Sequence, residues 1–211
     1  MIEVASFAFN PFQENTYILF DETKECVIID PGCYTENERR QLKTFIKNKD
    51  LKPIKLLNTH CHLDHICGNA FVAKEYNLKL EAHKGEKVVL DAAPAHGQMY
   101  GFIFEPSPAI EKYIDEGDII TFGNSELSIL FTPGHSPASI CFYSQKDGFI
   151  IGGDVLFFMS IGRTDLPGGN HQQLLNSIRE KLFVLPNETK VYNGHGQATQ
   201  IGFEKENNPF F

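Results

Sequence analysis

Residues 56–69 read LLNTHCHLDHICGN and crowd His60, His62, Asp64 and His65 into six consecutive positions, although the chain holds only eight histidines. An apolar run, IKLLN (residues 54–58), leads in, and Gly68 follows. On an α-helix, positions 60 and 65 would point about 140° apart, so the group could not aim at one point. In an extended or looped segment, residues 60, 62 and 64 share one face. The stretch is therefore expected on a loop at the end of a short buried strand.

Three further strand ends carry the same chemistry. SILFTPGHS (128–136) puts His135 after a Pro-Gly turn, GFIIGGDV (148–155) puts Asp154 after two glycines, and TKVYNGHG (189–196) holds His195 between glycines. Glycines at such positions let backbones approach closely. Five histidines and two aspartates thus fall at four strand-to-loop junctions. Imidazole nitrogen and carboxylate oxygen are ligands of zinc, iron or manganese. Seven such groups exceed one tetrahedral ion and suit two divalent ions sharing a bridging carboxylate.

The remaining pattern is mixed. EVASFAF (3–9), NTYILF (15–20) and CVIID (26–30) read as strands, with Asn10-Pro11 as a break. Leu42, Phe45 and Ile46 mark a helix over residues 36–49, and residues 68–77 suit a second with Phe71, Val72 and Tyr76 inward. LKLEA (78–82) is a strand and GEKVVLDAA (85–93) a short helix. Residues 92–113, rich in proline, glycine and aromatics, read as a long loop or a set of turns walling a pocket. Four strand-like runs follow between residues 118 and 154, then a helix over residues 170–185 capped by Asn170, then a strand at 189–193 and a short helical turn before Pro209. No linker divides residues 1–211, which are expected to form a single domain.

Composition narrows the partners. A net charge of −8 argues against nucleic acid, whose phosphates would be repelled. No run of ~18 apolar residues offers a membrane span. The start, MIEVASFAFNPFQEN, does not read as a secretory signal, and five cysteines without CxxC spacing read as reduced thiols, so a cytoplasmic location is expected. Each cysteine is first a small buried hydrophobe; Cys61 and Cys67, which flank the histidines, are the two for which ligation competes with that reading.

At these residues the chain resembles the metallo-β-lactamase superfamily, from FQENTYIL and DPG through H-x-H-x-D-H to PGHS, GGD and GHG. It looks most like the glyoxalase II group of hydroxyacylglutathione hydrolases, and in GRTDLPGGNHQQLLNSI and NNPFF like the short, single-domain bacterial type. The resemblance implies an α+β fold, an αββα sandwich of two mixed β-sheets flanked by helices, with metals at one edge. It implies His60, His62 and His135 on the first ion, Asp64, His65 and His195 on the second, and Asp154 between them. Two divalent ions, zinc foremost with iron or manganese as alternatives, would then cleave a small-molecule thioester of the S-lactoylglutathione kind. Asp64 is also the candidate for handling a proton. The chain lacks the C-terminal helical domain with which long glyoxalase II enzymes help grip glutathione, so a high KM is expected for that thiol. Alternatives on the same fold are a persulfide dioxygenase with one iron on His60, His135 and Asp154, a lactonase or β-lactamase, and a non-catalytic metal-binding scaffold.

Residues around the motif carry weaker expectations. Asp30 either supports a ligand histidine or closes a strand-end turn. Thr59 and Ser136 read as hydrogen-bond partners beside ligands. Arg163 and Asp165 are placed at the substrate mouth, with Arg163 either anchoring a substrate carboxylate or tied in an ion pair. Lys84 and Lys87 offer further local positive charge. Tyr100, Phe102 and Phe104 either contact substrate or fill a satellite core. His83 and His171 read as helix-start or surface residues, and His96 as a pocket or surface residue.

Overall fold

The computed structural model describes residues 1–211. Its strands are β1 (Glu3–Phe9), β2 (Glu14–Phe20), β3 (Glu25–Ile29), β4 (Lys52–Leu57), β5 (Leu80–Ala82), β6 (Ile110–Tyr113), β7 (Ile119–Phe122), β8 (Ser125–Phe131), β9 (Ile140–Ser144), β10 (Phe149–Gly153), β11 (Leu156–Phe157), β12 (Ser160–Ile161), β13 (Lys190–Asn193) and β14 (Thr199–Gln200). Its helices are α1 (Glu36–Asn48), α2 (Leu63–Ile66), α3 (Asn69–Tyr76), α4 (Lys87–Met99), α5 (His171–Ser177) and α6 (Ile201–Asn207). One sheet runs β1-β2-β3-β4-β5-β6 and the other β14-β13-β10-β9-β8-β7, while β11 and β12 form a small hairpin.

Alternation along β2 explains how four layers arise. Tyr17 and Leu19 point between the sheets, where they meet Phe122, Leu127, Ile140, Phe142 and Ile151 of the second sheet. Ile18 and Phe20 point the other way, onto Leu42 and Ile46 of α1. The second sheet repeats this with Cys141, Ile150 and Val191 against Leu174 of α5 and Ile201 of α6. Strands covered on both faces carry apolar side chains at every position, which is why TYILF and CVII read as unbroken runs. No helix is long and apolar enough to cross a membrane.

Parallel pairing sets the site's position. β3 and β4 are parallel in the first sheet, and β10 and β13 in the second. Their C-terminal ends open on one edge of the sandwich, the usual place for a site in sheets with parallel strands. The loops after β4, β8, β10 and β13 carry the motif residues.

Two expectations are corrected. Residues 92–113 are not one long loop: α4 continues through Pro94 to Met99, and Ile110–Tyr113 form β6, parallel to β5. Proline removes a helical hydrogen bond and normally breaks a helix. Here Val89, Leu90, Ala93 and Gly97 form a buried stripe on one side of α4, and that packing outweighs the local preference. The N–H of Phe102 then closes onto the Gly97 carbonyl at 2.8 Å and turns the chain back. The second correction lies in the motif, which is not wholly looped. His62 is extended, but Leu63–Ile66 form one helical turn that carries Asp64 and His65. Elsewhere, Asn170 caps α5 by accepting from the Gln173 N–H at 3.0 Å.

Candidate metal centre

The edge brings together the residues of the four loops. His60, His62 and His135 place one ring nitrogen each within 4.8 Å of one another, and so do the ligand atoms of Asp64, His65 and His195. Asp154 joins the two trios. Its Oδ2 lies 3.4 Å from His135 Nε2 and 3.4 Å from His195 Nε2, while Oδ1 lies 3.4 Å from His65 Nε2. Asp64 Oδ2 is 3.2 Å from His195 Nε2.

The outward ring nitrogens are tied down, which fixes what faces inward. His135 Nδ1 donates to the Arg163 carbonyl at 2.7 Å, and His195 Nδ1 to the Phe12 carbonyl at 3.0 Å. His65 Nδ1 lies 3.1 Å from Asp30 Oδ2, and His60 Nδ1 lies 3.0 Å from Thr59 Oγ1, whose hydroxyl donates to Asp30 Oδ2 at 2.6 Å. Such outer partners orient metal-binding histidines. The inward atoms His60 Nε2, His65 Nε2 and Asp154 Oδ1 are buried and have no hydrogen-bond partner. Buried polar atoms are nearly always paired, so three unpaired atoms facing one space suit a cation as their partner.

Charge divides the trios. Burial, with His65 beside it, pushes the His60 imidazole well below its ordinary pKa, and burial with His135 pushes His62 down to about 3. These rings stay neutral, the form that binds metal. On the other side burial is outweighed: Asp154 and Asp64 hold His65 well up and His195 at about 10. Burial alone would raise the two carboxyls, but the His65 charge keeps Asp64 low and Asp154 far below the carboxylate range. The two ionised carboxylates at the junction of the trios are thus balanced by His65 and His195, whose protons a bound cation would replace.

Asp30, Glu86 and Glu14 lie beneath. Asp30 adopts φ +49°, accepts from the Thr59 N–H at 2.7 Å and from Asn58 Nδ2 at 3.1 Å, and spends its oxygens on positioning rather than ligation. Its left-handed backbone is uncommon outside glycine and is held by these bonds. Glu86 is fully buried and accepts from the Cys61 N–H at 2.8 Å, the Ser136 hydroxyl at 2.6 Å and the Ala138 N–H at 2.9 Å. It ties the loop between His60 and His62 to the loop carrying His135. Glu14, also buried, has one oxygen without a partner, 3.8 Å from His65 Nδ1, and burial raises its carboxyl well above the usual range. The sequence reading missed both glutamates. The buried thiols of Cys61 and Cys67 are pushed well up and stay protonated, and neither joins a trio.

Two glycines make room. A Cβ at Gly153 (φ +50°) would sit 2.4 Å from Thr59 Oγ1, and one at Gly194 would sit 2.0 Å from Asp154 Oδ1. The last ligand loop is clasped from the start of the chain. The Asn15 N–H donates to the Gly194 carbonyl at 2.7 Å, Asn15 Nδ2 to the carbonyls of Asn193 and Gly196 at 3.1 and 2.9 Å, and the Tyr17 hydroxyl to the Asn193 carbonyl at 2.6 Å.

Above the trios lies a cleft of about 910 Å³, within the usual range for small-molecule sites. Tyr100, His96 and Arg163 line it; Phe102 and Phe104 do not. Phe102 is buried, stacked on Tyr34 at 4.3 Å and edge-on to Phe12 at 5.3 Å, and Phe104 packs on the core, so the substrate-contact alternative fails for both. Arg163 is held by Asp165 through two 2.7 Å hydrogen bonds, which is the ion-pair alternative. Lys84 and Lys87 do not line the cleft, and Lys87 pairs with Asp91. His83 opens a helical turn by accepting from the Gly85 N–H at 3.0 Å but is buried rather than on the surface, and His171 begins α5 exposed.

Known proteins are similar to this chain over most of its length. A probable metallo-hydrolase of Bacillus subtilis, YqgX, is 40% identical over 95% of this chain and 93% of its own length. The hydroxyacylglutathione hydrolase GloC of Haemophilus influenzae is 34% identical over 94% and 93%. A solved structure described as TTHA1623 in a di-iron-bound form superposes with a TM-score of 0.89 at 33% identity, covering 99% of this chain and 100% of that one. The family model of the metallo-β-lactamase superfamily matches residues 9–195, a span that takes in both trios and Asp154, and the chain belongs to that superfamily.

Proposed function

We propose that the chain is a hydrolase of acyl thioesters of the glyoxalase II type, using two divalent ions, zinc foremost and iron or manganese as alternatives, that the two trios would hold together with Asp154. The observation that carries this reading is the position of Asp154, whose two oxygens lie within 3.4 Å of ring nitrogens from both trios. Its likeness to GloC supports the thioester as substrate class, and its likeness to a di-iron protein supports two ions. Ions bound there would polarise the thioester carbonyl and lower the pKa of bound water toward ~7, making hydroxide available at neutral pH.

The chain's own residues supply position and proton handling. Neutral His60 and His135, both buried, and half-buried His62 form the floor, and Asp30 and Glu86 keep it from shifting. The Asp64 carboxylate lines the cleft in its ionised form and can accept the proton that water sheds. Water's oxygen bonds to the acyl carbon, the carbon–sulfur bond breaks, and its electron pair leaves with sulfur. The products are a carboxylate, a thiol and one proton. The substrate is a small molecule rather than a nucleic acid, in keeping with the net charge of −8, and five free cysteines suit an enzyme of the cytoplasm.

Metal analysis of the purified protein, followed by a steady-state assay on S-lactoylglutathione, tests the reading. The variant His60→Ala plus His62→Ala serves as the blank. Two ions per chain and turnover above the blank are expected. No thioester turnover, with one iron per chain and sulfite formed from glutathione persulfide and oxygen, would assign the site to persulfide oxidation instead.

A further inference from the structure

The cleft above the trios has apolar sides. α4 turns Val88, Ala92, His96 and Met99 toward it, at i, i+4, i+8 and i+11, one stripe of a helix. Val88, Met99 and the adjoining Tyr100 are 66%, 79% and 69% exposed. The core-packing stripe of α4 includes Leu90 and Gly97, which lie outside the cleft lining, so Val88 and Met99 are not needed to hold the helix in place. Phe157, Leu166 and Pro167 face them from beyond the bridging aspartate.

Charge is missing where a peptide-like thiol would need it. Apart from the ligands Asp64, Asp154 and His195, the charged side chain lining the cleft is Arg163, and Asp165 already occupies its guanidinium. No lysine lines it. Outside the metal centre, two substrate carboxylates would find one cation, already paired, in a protein of net charge −8. An alkyl chain would cover exposed apolar surface on both sides, and the stripe from Val88 to Met99 runs roughly 16 Å, long enough to take an extended octanoyl chain in full.

On the hydrolase reading above, we infer that the preferred substrate is a thioester with an apolar arm, an alkyl chain laid along α4 from the reacting carbonyl. The chain can belong to the acyl half or to the thiol half. Two series on zinc-loaded protein separate these sources: N-acetylcysteamine thioesters from acetyl to octanoyl, and acetyl thioesters of ethanethiol to octanethiol. In the series that matches, kcat/KM rises about twofold to fourfold per methylene until the stripe is covered. Val88→Asp and Met99→Asp, both at exposed positions, flatten that rise.

A flat or falling profile in both series, with S-lactoylglutathione the better substrate, overturns the apolar arm and leaves the hydrolase reading intact. If metal-loaded protein cleaves no thioester, the hydrolase reading falls. Binding then decides the arm: octanoate should bind at least tenfold tighter than acetate by calorimetry, and equal affinities sink it.

Discussion

The floor of the cleft and its α4 wall are held in opposite ways. On the floor, each of His60, His65, His135 and His195 has its outer nitrogen tied to a side chain or a carbonyl at 2.7 to 3.1 Å. Along the wall, the side chains of Val88, Met99 and Tyr100 stand in the open. Atoms that must meet an ion within a few tenths of an ångström need such fixing. A surface that only excludes water from an alkyl chain does not. Changes to the floor should therefore cost chemistry, and changes to the wall should cost selectivity.

The strongest way to break that division is Asp154→Ala. It removes the carboxylate common to both trios, so both ions and all turnover above the double-histidine blank should be lost, as read by metal content and assay. Retention of two ions and activity would mean that Asp154 does not bridge. Glu86→Ala comes next. It strands the Cys61 N–H, the Ser136 hydroxyl and the Ala138 N–H in the interior, at a cost of about 3 kcal/mol or more, and should lower the Tm by roughly 6–12 °C. Because two ligand loops lose their tie, metal affinity should fall about 10- to 100-fold in a chelator competition. A stability loss with unchanged affinity would make Glu86 a structural residue alone.

A paired experiment sharpens the contrast at the wall. Phe102→Ala should cost about 3 kcal/mol of stability and leave KM nearly unchanged, because the ring lies in an aromatic cluster and not in the cleft. Tyr100→Ala should do the reverse, raising KM severalfold with the Tm within about 2 °C of the parent, in line with an exposed position.

The smallest effect is far from the cleft and checks that the floor is a special case. Burial tends to raise the Asp21 carboxyl, but the Thr23 and Ser125 hydroxyls and the N–H groups of Thr23 and Asn124 hold it down to about 2. A carboxyl depressed on folding adds stability above its unfolded pKa of ~3.9 and loses it as pH falls toward 2. Asp21→Asn should flatten the stability profile between pH 4 and 2 and leave activity at pH 7 alone. An unchanged acid limb would show that other carboxylates govern acid unfolding.

The same division shows how much of the protein its sequence discloses. The floor is legible because H-x-H-x-D-H lies in one run, and because His135, Asp154 and His195 each follow an apolar strand and a glycine. Glu86 is not: in HKGEKVVL it resembles a surface residue, and its partners lie 25 to 52 positions away. Glu14 is hidden in the same way, since only the pairing of sheets buries it. The α4 wall misleads for a different reason. Pro94, Gly97 and Gly101 are local signals for a loop, and the buried stripe that overrides them exists only once the first sheet has formed. Phe102 follows from that error, because a loop would have left it free to reach substrate.

The clasp between Asn15 and the Gly194–Gly196 turn fixes when the centre can exist during synthesis. Its hydrogen bonds join residues 178 and 181 positions apart. At roughly 5–20 residues per second, a growing chain exposes His60, His62 and His65 several seconds before His195 leaves the ribosome. Throughout that interval the early ligands form an open, partial cage. Since metal binding and folding share one free energy, firm capture of any ion there waits for Asn15 to meet the Gly194–Gly196 turn. A chain that stops short of Asn193 keeps the early ligands but cannot close the cage around them.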